Sequence, residues 1–221
     1  FLLPGTPVRR LDFRQCLPLA DGRAAPTTYV VWSERDPTSA PALRRAFPAA
    51  QVAVIRPESE ALIKELTIVT APAGTRAVVE ARPARARFTP GLELVGVSQA
   101  PAGLRPGESV FLTLYWRAEA ALTEDLVAFL HLGAGLDGAP PLAQHDGQPC
   151  QGLFPTSRWR PGDLVPDSFA ITLPADAPPG EYPLVAGWYR YPSLERLPLE
   201  SADQALADNR AVIGTVTGSQ P

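Results

Sequence analysis

The chain has 221 residues, enough for one large domain or two small ones with real cores, and its 45% hydrophobic and 19% charged residues are the proportions of a globular protein. A net charge of −3 supplies no basic footprint for nucleic acid, and the longest strongly apolar run, Leu126–Leu136, falls well short of the ~18 residues of a membrane span. Proline is the outlier at 26 residues, which with 17 glycines points to many short strands joined by tight turns.

No methionine occurs, so the chain reads as a processed product or a piece excised from something longer. No charged segment precedes an apolar core at its start, so no signal peptide is visible.

Residues 1–72 read as a small α/β unit. TTYVVW, centred on Thr28–Trp32, is β-branched and aromatic, the composition of a buried strand. Asp36–Ser39 offers a helix start, Leu43 and Phe47 share a face four residues apart, and Pro48 stops the helix. QVAVI (Gln51–Ile55) is a second strand, so strand, helix and strand predict a right-handed crossover with two parallel neighbours. A short helix near Glu58–Lys64 and a third strand, ELTIVT, complete the layer. The loop SERDPTS holds no glycine, which argues against a dinucleotide site.

Residues 73–90 are rich in Ala, Arg and Pro and read as a semi-rigid linker that hides at most one strand, TRAVVEA. Its arginines, Arg76, Arg82, Arg85 and Arg87, are either solvated or turned to lipid headgroups.

From Leu92 the period changes to two, and residues 91–221 read as an antiparallel sandwich. In ESVFLTLYWRA, Leu112, Leu114 and Trp116 point one way and Phe111, Thr113 and Tyr115 the other. In DLVAFLHLGA, Leu126, Ala128, Leu130 and Leu132 oppose Val127, Phe129 and His131, and Gly135–Gly138 turns the chain onto PLAQHD. Gln144–Asp167 is a long connection between sheets. After it, DSFAITL puts Phe169, Ile171 and Leu173 inward, and EYPLVAGWYR puts Tyr182, Leu184, Ala186 and Trp188 on one face. ERLPLE and AVIGTVT finish the sheet, and PPGEY looks like the tyrosine-bearing strand entry of Ig-like domains. The fold class is therefore mainly β: an antiparallel Ig-like sandwich of seven or eight strands behind a small α/β unit.

FTPGLELVGV, RPGESVFLTLYWRA, LVAFLHL, AQHDGQP, FPTSRWRPGDLVPD, LPADAPPGEYPLVAGWY and ERLPL occur in that order between Phe88 and Leu199. Together they resemble the C-terminal extracytoplasmic region of bacterial polytopic membrane glycosyltransferases, the mannosyltransferase-like enzymes of Chloroflexi-type bacteria that use lipid-linked sugars. The chain departs from that pattern at Gly133-Ala134-Gly135, where an acidic turn is more typical. The resemblance implies an extracytoplasmic domain without catalytic residues of its own, tethered to the membrane through the parent chain. Its implied partners are the transmembrane part of that chain and a glycan or lipid-linked sugar acceptor. No cofactor is expected.

Several side chains invite a sharper reading. His131, His145, Asp137 and Asp146 could meet across the 126–146 hairpin at a metal, yet their spacing is irregular and ordinary hydrogen-bonded strand residues fit as well. Gln144, Asp146, Thr156, Ser157 and Asp163 suit either the backbone groups of a long loop or sugar hydroxyls. Trp159, between Arg158 and Arg160, either stacks on a sugar ring or plugs the end of the core; the plug is the reading adopted, with Arg158 or His145 left to touch a ligand. The candidate ligand-binding set is thus His145, Asp146, Arg158 and Trp159. No Ser-His-Asp order with a nucleophile elbow and no helix with paired carboxylates is present, so catalysis by this chain is not expected. Cys16 and Cys150 are either a disulfide or two buried thiols. Three functions compete: a domain that aids acceptor docking or shapes the active-site mouth of a membrane glycosyltransferase, a free-standing carbohydrate-binding module, and a structural or protein-interaction sandwich.

Overall fold

A computed structural model describes residues 12–56, 65–98, 101, 103–133 and 140–219. The elements run β1 (Leu19–Ala20), β2 (Thr27–Trp32), α1 (Ser39–Ala46), β3 (Gln51–Ile55), β4 (Leu66–Ala71), β5 (Ala86–Phe88), β6 (Leu92–Val97), β7 (Gly103–Leu104) and β8 (Ser109–Ala118). They continue with β9 (Leu126–Leu132), β10 (Ala143–Gly147), β11 (Asp163–Thr172), β12 (Gly180–Arg190), β13 (Leu199–Ala202), β14 (Ala205–Leu206) and β15 (Arg210–Gly218). The protein is mainly β, with one α-helix among the described residues.

One sheet has the order β1-β11-β8-β6-β5-β13, and a second runs β10-β9-β12-β15-β14 with β7 parallel to β15. The period-two faces of the long strands explain why they face each other. Leu112, Leu114 and Trp116 of β8, Leu130 and Leu132 of β9, Phe169 and Ile171 of β11, and Leu184 and Trp188 of β12 are all buried in one core. Three indoles hold its centre: Trp116 lies 4.8 Å from Trp188, and Trp188 lies 5.9 Å from Trp159, both edge to face. The strand number exceeds the expected seven or eight because five strands of two to four residues (β1, β5, β7, β13 and β14) line the margins.

The third sheet, β2-β4-β3, corrects one expectation. β2 and β3 are not neighbours; each pairs antiparallel with β4, which lies between them. The chain reverses after β3 and inserts β4 into the gap the crossover leaves. Helix α1 starts where the Asp36 carboxylate accepts hydrogen bonds from the backbone of Ser39 at 3.0 Å and Thr38 at 3.3 Å. Its apolar side, Leu43 with Phe47 just past its end, is completely buried against Tyr29, Val31 and Val69. That layer also touches Val95, Tyr115 and Leu164 on the outer face of the first sheet, so three layers stack around two cores. The helix expected near Glu58–Lys64 and the turn at Gly135–Gly138 lie outside the described residues.

The stretch 73–90 carries no strand at TRAVVEA. Its backbone is engaged elsewhere: Val78 N–H donates to Ala46 O, and Ala77 N–H donates to the Asp21 carboxylate at 2.8 Å. Strand β5 appears instead at Ala86–Phe88, paired with β6 and β13. Three of the four arginines of this stretch reach protein partners, Arg76 to Asp21, Arg82 to Ile213 O and Arg87 to Glu119, while Arg85 is exposed.

The α/β unit and the sandwich are joined by covalent and ionic links as well as by packing. β1 pairs with β11. The Asp21 side chain is 1% exposed and receives Arg117 at 2.8 Å and Arg76 at 2.9 Å, while Arg117 also reaches Glu93 at 2.8 Å. Arg23 pairs with the buried Asp163. Cys16 and Cys150 are bonded, 134 residues apart in sequence with Cα atoms 5.4 Å apart.

Candidate functional site

The long connection is shorter than its sequence suggests, because β10 takes its first residues and β11 its last. What remains, 148–162, holds two tight turns, at Pro149–Gly152 and Thr156–Arg158. The second turn is anchored by Thr156, fully buried, which donates to Glu124 O at 2.7 Å and accepts from Leu126 N–H at 2.8 Å. Ser157 N–H donates to Asp125 at 3.2 Å, and Asp163 accepts from Arg160 N–H at 2.7 Å. These are loop-holding roles.

Trp159 is not available to a ligand. It is 2% exposed, stacks on Phe154 and donates its indole N–H to Phe154 O at 2.9 Å, so it closes the core at this end. A ring with both faces covered cannot stack on a sugar. Arg158 is exposed beside it, with its guanidinium 5.7 Å from the Phe154 ring.

His145 and Asp146 are also parted, since neighbours on a strand point to opposite faces. His145 turns toward β11: its Nδ1 is 2.9 Å from Ala170 O and 3.1 Å from Ala170 N, the two groups a pairing strand would engage. It closes one margin of the sandwich, with its ring edge-on to Phe169. Asp146 turns to the outer face, 3.4 Å from His131 Nε2 and hydrogen-bonded to Tyr189. Burial, aided by Asp146, pushes the Tyr189 phenol up to about 12. The metal reading therefore loses its geometry: Asp137 lies outside the described residues, and among those described no three His, Cys, Asp or Glu side chains group as a metal site.

Where β10, the first turn and β11 meet, a groove of about 380 Å³ opens, lined by His145, Gln148, Gln151, Asp167, Ser168 and Phe169, together with Asp146, Gly147 and Gly152. Asp167 was not among the expected site residues, yet it is the most unusual group here. It occupies the core-facing phase of β11, two residues before Phe169, and is 4% exposed. Its carboxylate accepts Cys150 N–H at 2.9 Å. Burial pushes the pKa of its carboxyl up to about 7, against the partial offset of the Cys150 N–H, His145 and the Ser168 N–H. Cys150 and Gln151 both adopt left-handed backbone, with φ of 55° and 56°. Such conformations cost ~1–2 kcal/mol for a residue with a Cβ, and here the disulfide and the Asp167 contact hold them. The signal for Asp167 was present in the sequence, because the alternation that turns Phe169 and Ile171 inward extends back to it.

No model of a known protein family matches the chain, and no curated protein is similar enough to be compared with it. The fold itself defines the class: a mainly β double-sheet domain backed by a small α/β layer.

Proposed function

We propose that the chain is an extracytoplasmic, non-catalytic domain of a bacterial membrane glycosyltransferase, which docks the acceptor or shapes the mouth of the active site. The observation that carries this reading is the Cys16–Cys150 disulfide, buried where the α/β layer meets the first turn of the long connection. Disulfides persist in oxidising compartments and are rare in the cytosol. The ordered run of motifs from Phe88 to Leu199 supplies the glycosyltransferase setting. No helix among the described residues is long and apolar enough to cross a membrane, so the tether is assigned to the parent chain.

The sandwich is proposed to be Ig-like, with a core of seven longer strands. In its support, β6, β8 and β11 adjoin in one sheet, and β10, β9, β12 and β15 adjoin in the other. The Tyr182 hydroxyl also donates to Pro178 O, four residues upstream, at the entry to β12. The reading as a free-standing carbohydrate-binding module loses its aromatic platform with the burial of Trp159.

The test is sidedness. Phe111 is 77% exposed on β8, so a Phe111→Cys thiol is open to reagents. In the full-length parent chain it should react with a membrane-impermeant maleimide on intact cells stripped of any outer layer. Labelling only after lysis would place the domain in the cytoplasm and reject the reading.

A further inference from the structure

We propose that the groove between β10, the Pro149–Gly152 turn and β11 is a binding site for a neutral, hydroxyl-rich ligand, a saccharide, anchored on Asp167. This deepens the acceptor-docking reading and rests on it for where the saccharide comes from.

Four observations meet there. The groove's volume of about 380 Å³ is at the small end of the ~300–1,000 Å³ typical of small-molecule sites. Its polar side chains are two carboxamides (Gln148 and Gln151), the His145 imidazole and the Asp167 carboxyl, with no arginine or lysine among the lining residues. A phosphate or carboxylate ligand would find no cation. A hard metal ion would find no grouped ligand set. Hydroxyl groups, which both donate and accept, match amides, an imidazole and an acid that can carry its own proton.

Asp167 sits on the core side of its strand where an apolar residue would pack, and a buried carboxyl in that position is a liability for stability alone. The turn beside it holds two consecutive non-glycine residues in left-handed backbone, and strain of that kind concentrates where a ligand is held. The same turn presents the Gln151 side chain to solvent while its neighbour Cys150 is fixed to Asp167 and to Cys16. The groove is thereby pre-shaped from three sides: by strand pairing, by a disulfide and by a buried acid.

The experiment is a titration of the isotopically labelled 221-residue chain with methyl α-D-mannopyranoside and with maltose, read by amide chemical shifts, with inorganic phosphate and calcium chloride as parallel probes. The expected result is millimolar-range saccharide binding, with shifts centred on Gln148, Gln151, Gly152 and Ser168. Gln148→Ala and Gln151→Ala change exposed side chains of the groove, and each should weaken binding by a few-fold to about tenfold, the loss of one neutral hydrogen bond. Asp167→Asn keeps a neutral hydrogen-bonding group and should retain binding, whereas Asp167→Ala should lose it. Saccharide shifts elsewhere on the surface, no response to either sugar, a stronger response to phosphate or calcium, or loss of binding in Asp167→Asn would each overturn the proposal. Such a failure would leave the sidedness result untouched, so the two readings fall separately.

Discussion

Asp167→Asn is the perturbation with the most to say about this fold. In the folded protein burial pushes the Asp167 carboxyl up to about 7, from an ordinary value of 3.8. The folded state therefore keeps a proton that the unfolded chain releases as pH rises from about 4. Stability from this group is fully present below the unfolded value and is lost as pH climbs through the folded one. A displacement of about three units corresponds to about 4 kcal/mol across the window from pH 4 to 8. Asparagine retains a side-chain oxygen for Cys150 N–H and cannot ionise. The variant should be more stable than wild type at pH 8, by up to about 4 kcal/mol, and should lose this part of the pH dependence. Urea unfolding of the oxidised protein at several pH values, followed by tryptophan fluorescence, measures the difference directly. All other carboxylates act alike in both proteins, so the difference curve isolates Asp167. Parallel curves for the two proteins from pH 4 to 8, or a variant weaker than wild type at pH 8, would refute the buried-acid argument.

Other changes probe the packing and the links between layers. Trp159→Ala should cost ~3–5 kcal/mol, as for any core aromatic, whereas an exposed platform would cost well under ~1 kcal/mol; a melting curve decides. Asp21→Ala takes the shared acceptor from Ala77 N–H, Arg117 and Arg76 at the seam between the α/β layer and the sandwich, while Arg117 keeps Glu93, and should cost ~1–3 kcal/mol, measured by the same unfolding curves. Reducing Cys16–Cys150 frees a 134-residue loop and should lower stability by ~4–5 kcal/mol, seen as a fall in melting temperature with reductant and none in a Cys16→Ala, Cys150→Ala double variant.

Much of the sandwich is legible because period two survives wherever one face is buried. The inward sets Leu112, Leu114 and Trp116, then Phe169 and Ile171, then Leu184 and Trp188, lie in the core the alternation predicts. The α/β layer is less legible for a topological reason. Strand, helix and strand predict a common direction for β2 and β3 but say nothing of β4, whose insertion between them is a tertiary choice. The stretch 73–90 looks like linker because Ala, Arg and Pro have weak strand preference, yet its arginines find Asp21 and Ile213 O across long sequence distances. At the site, His145 and Asp146 look like a pair in sequence and are parted by the pleat, while Trp159 is claimed by the core. Asp167 was readable from the inward phase of its strand; the left-handed turn beside it was not, since neither Cys150 nor Gln151 announces such backbone.

The most direct test of the docking role is sugar transfer by the parent enzyme in its own membrane, comparing wild type with a Gln148→Ala, Gln151→Ala double variant. The account predicts a KM for acceptor raised about tenfold or more, two lost hydrogen bonds, with kcat and the KM for the lipid-linked donor unchanged. An unchanged acceptor KM, or a fall in kcat with both KM values constant, would contradict it.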